Sequence, residues 1–151
     1  MGDIMTEPIN NNLNKGEKEK NDKIMELYAQ AQVLQQQLIN IEEQIKQLDV
    51  QEAELNLAIE SIQELNKIKD EEESLVPIVN GVFVKAKLKK PDELIVNVGS
   101  NVLVKKSVDE TKELIRQNIS EIRNYKEKLS KQHENIIRVL EQTQKEMQNI
   151  R

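Results

Sequence analysis

The sequence predicts an α+β fold, mainly α: a long antiparallel two-helix coiled coil with a central insert of two β-hairpins that forms an oligomerisation platform. Three observations predict it. Apolar residues recur at alternating three- and four-residue spacing over most of both halves of the chain. Between those halves the period drops to two, and turn residues cluster. The 151 residues are 32% charged and 2% aromatic, with 4 Gly and no Cys, a composition that suits long helices with a narrow seam.

Residues 1–21 read as a disordered tail, with Asn10, Asn11, Asn12 and Asn14, Pro8 and Gly16 and no periodicity. A helix is expected over 22–70, with Asn21 as its N-cap. Its seam positions are Ile24, Leu27, Ala31, Leu34, Leu38, Ile41, Ile45, Leu48, Glu52, Leu55, Ile59 and Ile62, of which eleven are apolar. The phase then slips at Leu65 and Ile68. Asp70, Glu71, Glu72 and Glu73 read as a solvated helix end, repelled by the C-terminal dipole.

The platform occupies 74–107. Val82, Val84, Ala86 and Leu88 alternate with Phe83, Lys85 and Lys87; Leu94, Val96 and Val98 alternate with Ile95 and Asn97; Val102 and Val104 alternate with Leu103 and Lys105. Asn80-Gly81, Lys90-Pro91-Asp92 and Gly99-Ser100-Asn101 supply turns. Strands are therefore expected at about 75–79, 82–88, 94–98 and 102–106. Two hairpins are marginal alone, and their edges seek partners. Their apolar residues (Val82, Phe83, Val84, Ala86, Leu88, Leu94, Ile95, Val96, Val98, Val102, Leu103 and Val104) are the candidate assembly surface.

A second helix is expected over 108–151, started by the S-x-x-E capping box of Ser107 and Glu110. Its seam is Val108, Lys112, Ile115, Ile119, Ile122, Lys126, Leu129, His133, Ile136, Leu140, Thr143, Met147 and Ile150. The two helices have nearly equal expected lengths, so antiparallel pairing puts both termini at one tip. Facing positions then sum to about 178, which sets Glu52 against Lys126 as the polar pair that fixes register.

The composition excludes several functions. No Cys rules out disulfides and thiolate metal sites, and the single His133 rules out a multi-histidine centre. No catalytic set, phosphate loop or cofactor motif is present, so the chain is not expected to be an enzyme or to need a cofactor or metal. Net charge is −5, with −9 over 22–73 and +4 over 74–107. That acidic balance and the three aromatics (Tyr28, Phe83, Tyr125) argue against nucleic acid as a partner. Lys85, Lys87, Lys89, Lys90, Lys105 and Lys106 read as solubilising strand-face residues. No apolar run suits a membrane span or a signal peptide, so no membrane partner is expected and the cytoplasm is the expected location.

The helix ends carry more apolar residues than a two-helix seam needs. Ile24, Met25, Leu27, Tyr28, Ala31 and Leu34 on the first helix, with Ile136, Ile137, Val139, Leu140, Met147 and Ile150 on the second, form a widened stripe with nothing in the chain to cover it. These twelve are the candidate binding residues for apolar partners.

The order helix, two hairpins, helix, with Leu75-Val76-Pro77-Ile78, Asn80-Gly81-Val82-Phe83-Val84-Lys85-Ala86 and Val96-Asn97-Val98-Gly99-Ser100, resembles the α-class subunits of the prefoldin family, of the archaeal type. The resemblance covers about 22–150. Val79 and Asn101 stand where the family commonly has Gly. The resemblance implies a hexamer of two α and four β-type subunits joined through their hairpins. It implies an ATP-independent chaperone that holds non-native polypeptides at the coiled-coil tips and passes them to a group II chaperonin. The alternative is a structural protein that self-assembles into filaments through its β insert.

Overall fold

The computed structural model describes residues 7–150, with side chains for 14–150. The order is α1 (Glu7–Asn66), β1 (Glu72–Val79), β2 (Val82–Leu88), β3 (Glu93–Asn97), β4 (Leu103–Ser107) and α2 (Val108–Ile150). This is the expected fold: two long helices around two antiparallel two-stranded sheets. The chain divides into two units, one of residues 1–46 with 127–151 and one of residues 47–126.

In the unit of 1–46 and 127–151, Leu27, Ala31 and Ile41 of α1 and Leu129 and Thr143 of α2 are buried. All five are seam positions of the predicted spacing. The Thr143 hydroxyl donates to the Val139 carbonyl at 2.8 Å, so its burial leaves no polar atom unsatisfied.

The unit of 47–126 buries Ile62 of α1 and Val108, Thr111 and Ile119 of α2. Thr111 takes the covered place that the sequence spacing gives to Lys112. Its hydroxyl donates to the Ser107 carbonyl at 2.8 Å. A short threonine that caps its own hydrogen bond is cheaper to cover than an ammonium. Ser107 starts α2 as expected: its Oγ accepts from the Glu110 N–H at 3.1 Å, and Asp109 and Glu110 put acid in the first turn.

Two expectations about the helices are corrected. α1 begins at Glu7, so Asn21 is interior to it and not a cap, and the tail assigned to 1–21 is helical from Glu7; residues 1–6 lie outside the described residues. Once a helix is nucleated, each further residue adds a hydrogen bond, and the Glu and Lys of Lys15–Lys20 favour it. The helices are therefore unequal, at 60 and 43 residues. α1 also stops at Asn66 rather than near 70. Lys67 and Ile68 bond back three residues, and Glu71 turns the chain with φ of 65°. Glu72 and Glu73 then open β1 instead of ending the helix, with Glu73 opposite Lys87.

β1 pairs with β2 from Glu72↔Leu88 to Val79↔Val82, and Ile78 is the extra residue of a bulge between Pro77 and Val79. Pro77 is tolerated because each strand of a two-stranded sheet is an edge. Gly81 takes φ of 81° at the turn. β3 pairs with β4 from Glu93↔Ser107 to Asn97↔Leu103, each strand one residue away from its expected bounds. Ser100 and Asn101 at the turn have φ of 49° and 60°. Both central residues being positive is the requirement of a type I′ turn, so Asn101 serves without glycine. The turn is closed by Val102 N–H to Gly99 O at 2.9 Å.

Ser107→Ala removes the α2 cap, and a loss of about 1 kcal/mol follows. Thermal unfolding followed by circular dichroism should show a midpoint about 3 °C lower, with Ser107→Asp close to wild type.

Candidate functional site

The twelve candidate residues of the helix ends divide by exposure. Leu27 and Ala31 are buried, at 6% and 8% exposed, so they belong to the seam and offer no open surface. A two-helix seam covers its a and d positions even where the stripe widens, so the expectation of contact at these two finds no open surface behind it. Ile24, Leu34, Ile136, Leu140, Met147 and Ile150 are half-buried. Met25, Tyr28, Ile137 and Val139 are exposed, Met25 at 70%. The free apolar surface thus lies on the residues beside the seam. Val33, exposed and one turn from Ala29, joins them. It was missed because it falls outside the heptad seam, although an i, i+4 search from Met25 through Ala29 reaches it. The surface includes an apolar hollow of about 510 Å³ lined by Ala29, Val33, Leu34 and Val139, with Glu26 and Gln30 at its edge.

Of the twelve hairpin residues, Val82, Phe83, Val84, Ile95, Val98, Val102, Leu103 and Val104 are exposed, and Ala86, Leu88, Leu94 and Val96 are half-buried. None is buried. The register places Val76, Val84, Ala86 and Leu88 on one face of the first hairpin, and Leu75, Pro77 and Phe83 with Lys85 and Lys87 on the other. In the second, Leu94, Val96 and Val104 share a face, while Ile95 and Leu103 share the opposite one. Both hairpins are therefore apolar on both faces.

Glu52 and Lys126 meet, as part of a larger group. Lys126 Nζ lies 2.5 Å from Glu52 Oε2 and 2.7 Å from Asp49 Oδ1, and Arg123 Nε donates to Glu52 Oε1 at 2.7 Å. Glu52 is the most covered of the four, its side chain 15% exposed against 57% for Asp49. The hydrogen bonds from Lys126 and then Arg123 hold the Glu52 carboxyl below its ordinary value of 4.5. Those to Asp49 and then Glu52 hold the Lys126 ammonium above its ordinary 10.5. Arg123 and Asp49 were missed because they sit one step off the seam, where sequence shows only an ordinary charged face. In the other unit, His133 Nε2 and Glu42 Oε1 are 3.0 Å apart, a seam-edge pair rather than a nucleophile–base set.

An exchange of Glu52 and Lys126 would not conserve this four-membered group. A lysine at 52 would face Arg123, and a glutamate at 126 would face Asp49, so the exchange restores one link and creates two repulsions. Single neutral substitutions are cleaner. Glu52→Gln should lower the thermal midpoint more than Asp49→Asn, because Glu52 accepts from two cations. A carboxyl held low stabilises the fold above its ordinary pKa of 4.5 and loses that contribution as pH falls through the lowered value. The gap between wild type and Glu52→Gln should therefore shrink as pH falls from 7 to 3, measured as midpoint against pH. Lys126, held high, contributes fully below 10.5 and loses it only as pH rises through the raised value.

Among the described residues, no helix is long and apolar enough to cross a membrane. A comparison with curated proteins found no match. Among solved structures, the cryo-EM structure of filamentous PFD from Methanocaldococcus jannaschii is similar in fold, with a TM-score of 0.72 at 21% identity, covering 78% of this chain and 98% of that one. Residues 34–151 match the family described as Prefoldin subunit. That match takes in the second half of α1, both hairpins and all of α2, and on it the chain belongs to the prefoldin family.

Proposed function

We propose that this chain is an α-class subunit of an ATP-independent chaperone that binds non-native polypeptides, prevents their aggregation and delivers them to a group II chaperonin. The family is of chaperone type and non-enzymatic. The observation that carries the finer reading is the exposed apolar set Met25, Tyr28, Val33, Ile137 and Val139 on a chain otherwise rich in charge. Two hairpins rather than one support the α class. Hairpins apolar on both faces support assembly through the insert; on the family reading the partners are β-type subunits, two α to four β, in the cytoplasm.

The magnitudes suit holding without trapping. One helix-end surface burying about 200 Å² of client gains about 5 kcal/mol at 25 cal/mol/Å² before entropy losses. Such a contact releases quickly. Several on one assembly act together and raise avidity with no new contact. Release then needs no nucleotide, because loosening one contact lowers the effective concentration for the rest.

A second reading is a filament built through the β insert. The fold similarity to a filamentous PFD favours it, as do apolar hairpin faces that a single closed interface would leave open. Partner dependence separates the two: a hexamer subunit needs a β-type partner, and a filament former grows alone.

The test is light scattering from a denatured client diluted without ATP into the assembled complex. Met25→Gln, Tyr28→Gln and Val139→Gln together change only exposed positions, so the helices and the complex should remain. Suppression of scattering should fall by more than half in the triple variant. Full suppression by an intact variant complex would remove these side chains from client holding, and no suppression by wild type, with filaments seen for the chain alone, would favour the second reading.

A further inference from the structure

From Leu27 to Ile41, α1 carries no charged residue, in a chain that is 32% charged. Those fifteen positions hold five Gln and one Asn instead. The gap in charge has a location. Gln30, Val33, Leu34, Gln37, Asn40 and Ile41 follow one side of α1 at helical spacing, and Val139, Ile136, Asn135 and Gln132 run along the facing side of α2. Between them lie two hollows, the apolar one described above and a second of about 410 Å³ one turn along. Ala29, Val33, Leu34, Ile41, Ile136 and Val139 give the groove an apolar lining. Five amides rim it, and the one charged lining residue, Glu26, sits at its end.

We propose that this groove binds an extended, uncharged segment of a non-native polypeptide, and that the amide side chains hydrogen-bond to the segment's backbone. The inference rests on the chaperone reading and names the chemistry of what is held. Ala29 to Ile41 spans about 18 Å, room for roughly five residues of extended chain. Such a segment presents N–H and C=O groups that need partners once water is excluded. A carboxylamide both donates and accepts, so it suits either group without selecting the client's sequence. Two amides are already oriented: Asn40 Oδ1 accepts from Gln36 at 3.3 Å and Asn135 Oδ1 accepts from Arg138 at 2.6 Å, which leaves their N–H groups to donate. Charge argues against most of the helix surface of a second copy of this chain: outside 27–41 of α1, its off-seam positions carry Glu, Lys and Arg, which would lose water against amide side chains.

The probe is an eight-residue peptide of Val, Ala and Ser carrying a neutral dye, read by fluorescence anisotropy against the full chain in its assembly. A second peptide has the same side chains with alternate backbone nitrogens methylated, and a third carries two Glu. Methylation should weaken binding about tenfold, the loss expected for one or two hydrogen bonds. The Glu peptide should also bind more weakly. In the triple variant Gln30→Leu, Gln37→Leu, Gln132→Leu, confirmed helical by circular dichroism, the methylation penalty should fall below about threefold. Equal binding of the methylated peptide to wild type, a penalty unchanged in the triple variant, or peptide that becomes helical on binding overturns the groove. Peptides that fail to bind an assembly that still suppresses client aggregation overturn the groove alone. If suppression is absent as well, the chaperone reading falls with it.

Discussion

The exposed surfaces of this chain follow from how narrow an interface two helices make. Two helices touching along alternate three- and four-residue positions cover a stripe and nothing more. Even within the stripe the cover is thin: Leu129, among the most buried, is 4% exposed, and among the described residues no side chain is covered beyond 98%. A globular domain places its remaining apolar residues under a second layer. Among the described residues no second layer covers them, so many apolar residues off the seam stay in water. Met25, Tyr28 and Val139 are exposed for that reason, and so is Leu57 of the other unit. The exposed apolar surface is thus a direct consequence of building each unit on a two-helix seam.

The hairpins repeat the same condition in β form. A two-stranded sheet has two edges and two faces, and here both faces carry apolar side chains. Phe83 sits with Leu75 and Pro77 on one side of the first hairpin, and Val84 with Val76 on the other. Lys85 and Lys87 share the Phe83 face and keep it partly solvated, while the Val84 face has only Glu72 and Ser74 as polar members. The more apolar face is the one whose cover stabilises most. The face with lysines needs a partner that leaves ammonium groups in water or pairs them.

Much of this was legible in the sequence because it rests on periodicity. The seam residues, four strands, two turns and the Ser107 cap all follow from spacing or from a local side chain with one job. What stayed hidden depends on neighbours distant in sequence or on competition between weak signals. Asn21 has the chemistry of a cap, but a cap stops a helix only if the residues before it resist helix formation, and Glu17 to Lys20 do not. Glu52 and Lys126 stood out as polar residues in apolar seams. Arg123 and Asp49, which complete their group, look like any surface charge until the helices are paired. Thr111 against Lys112 is the same kind of case: the heptad allows either, and the cost of covering an ammonium decides. Leu27 and Ala31 mark the limit of pattern for the binding surface, because spacing identifies apolar residues but not which of them the partner helix already covers.

Charge is distributed by task along the helices. At Asp49, Glu52, Arg123 and Lys126 ionic groups converge, an arrangement that suits register because ion pairs are directional and wrong registers leave them facing like charge. From Leu27 to Ile41 they are absent from α1. A surface that receives many different chains gains from that absence, because each fixed charge would repel some of them and cost desolvation with the rest. Amides avoid both costs while still offering hydrogen bonds, and the apolar lining supplies attraction that does not depend on sequence. On the chaperone reading, the glutamines of this stretch therefore matter for what they exclude. They keep the helix soluble with no client ruled out by sign, and they leave the strength of binding to how many such surfaces one assembly brings together.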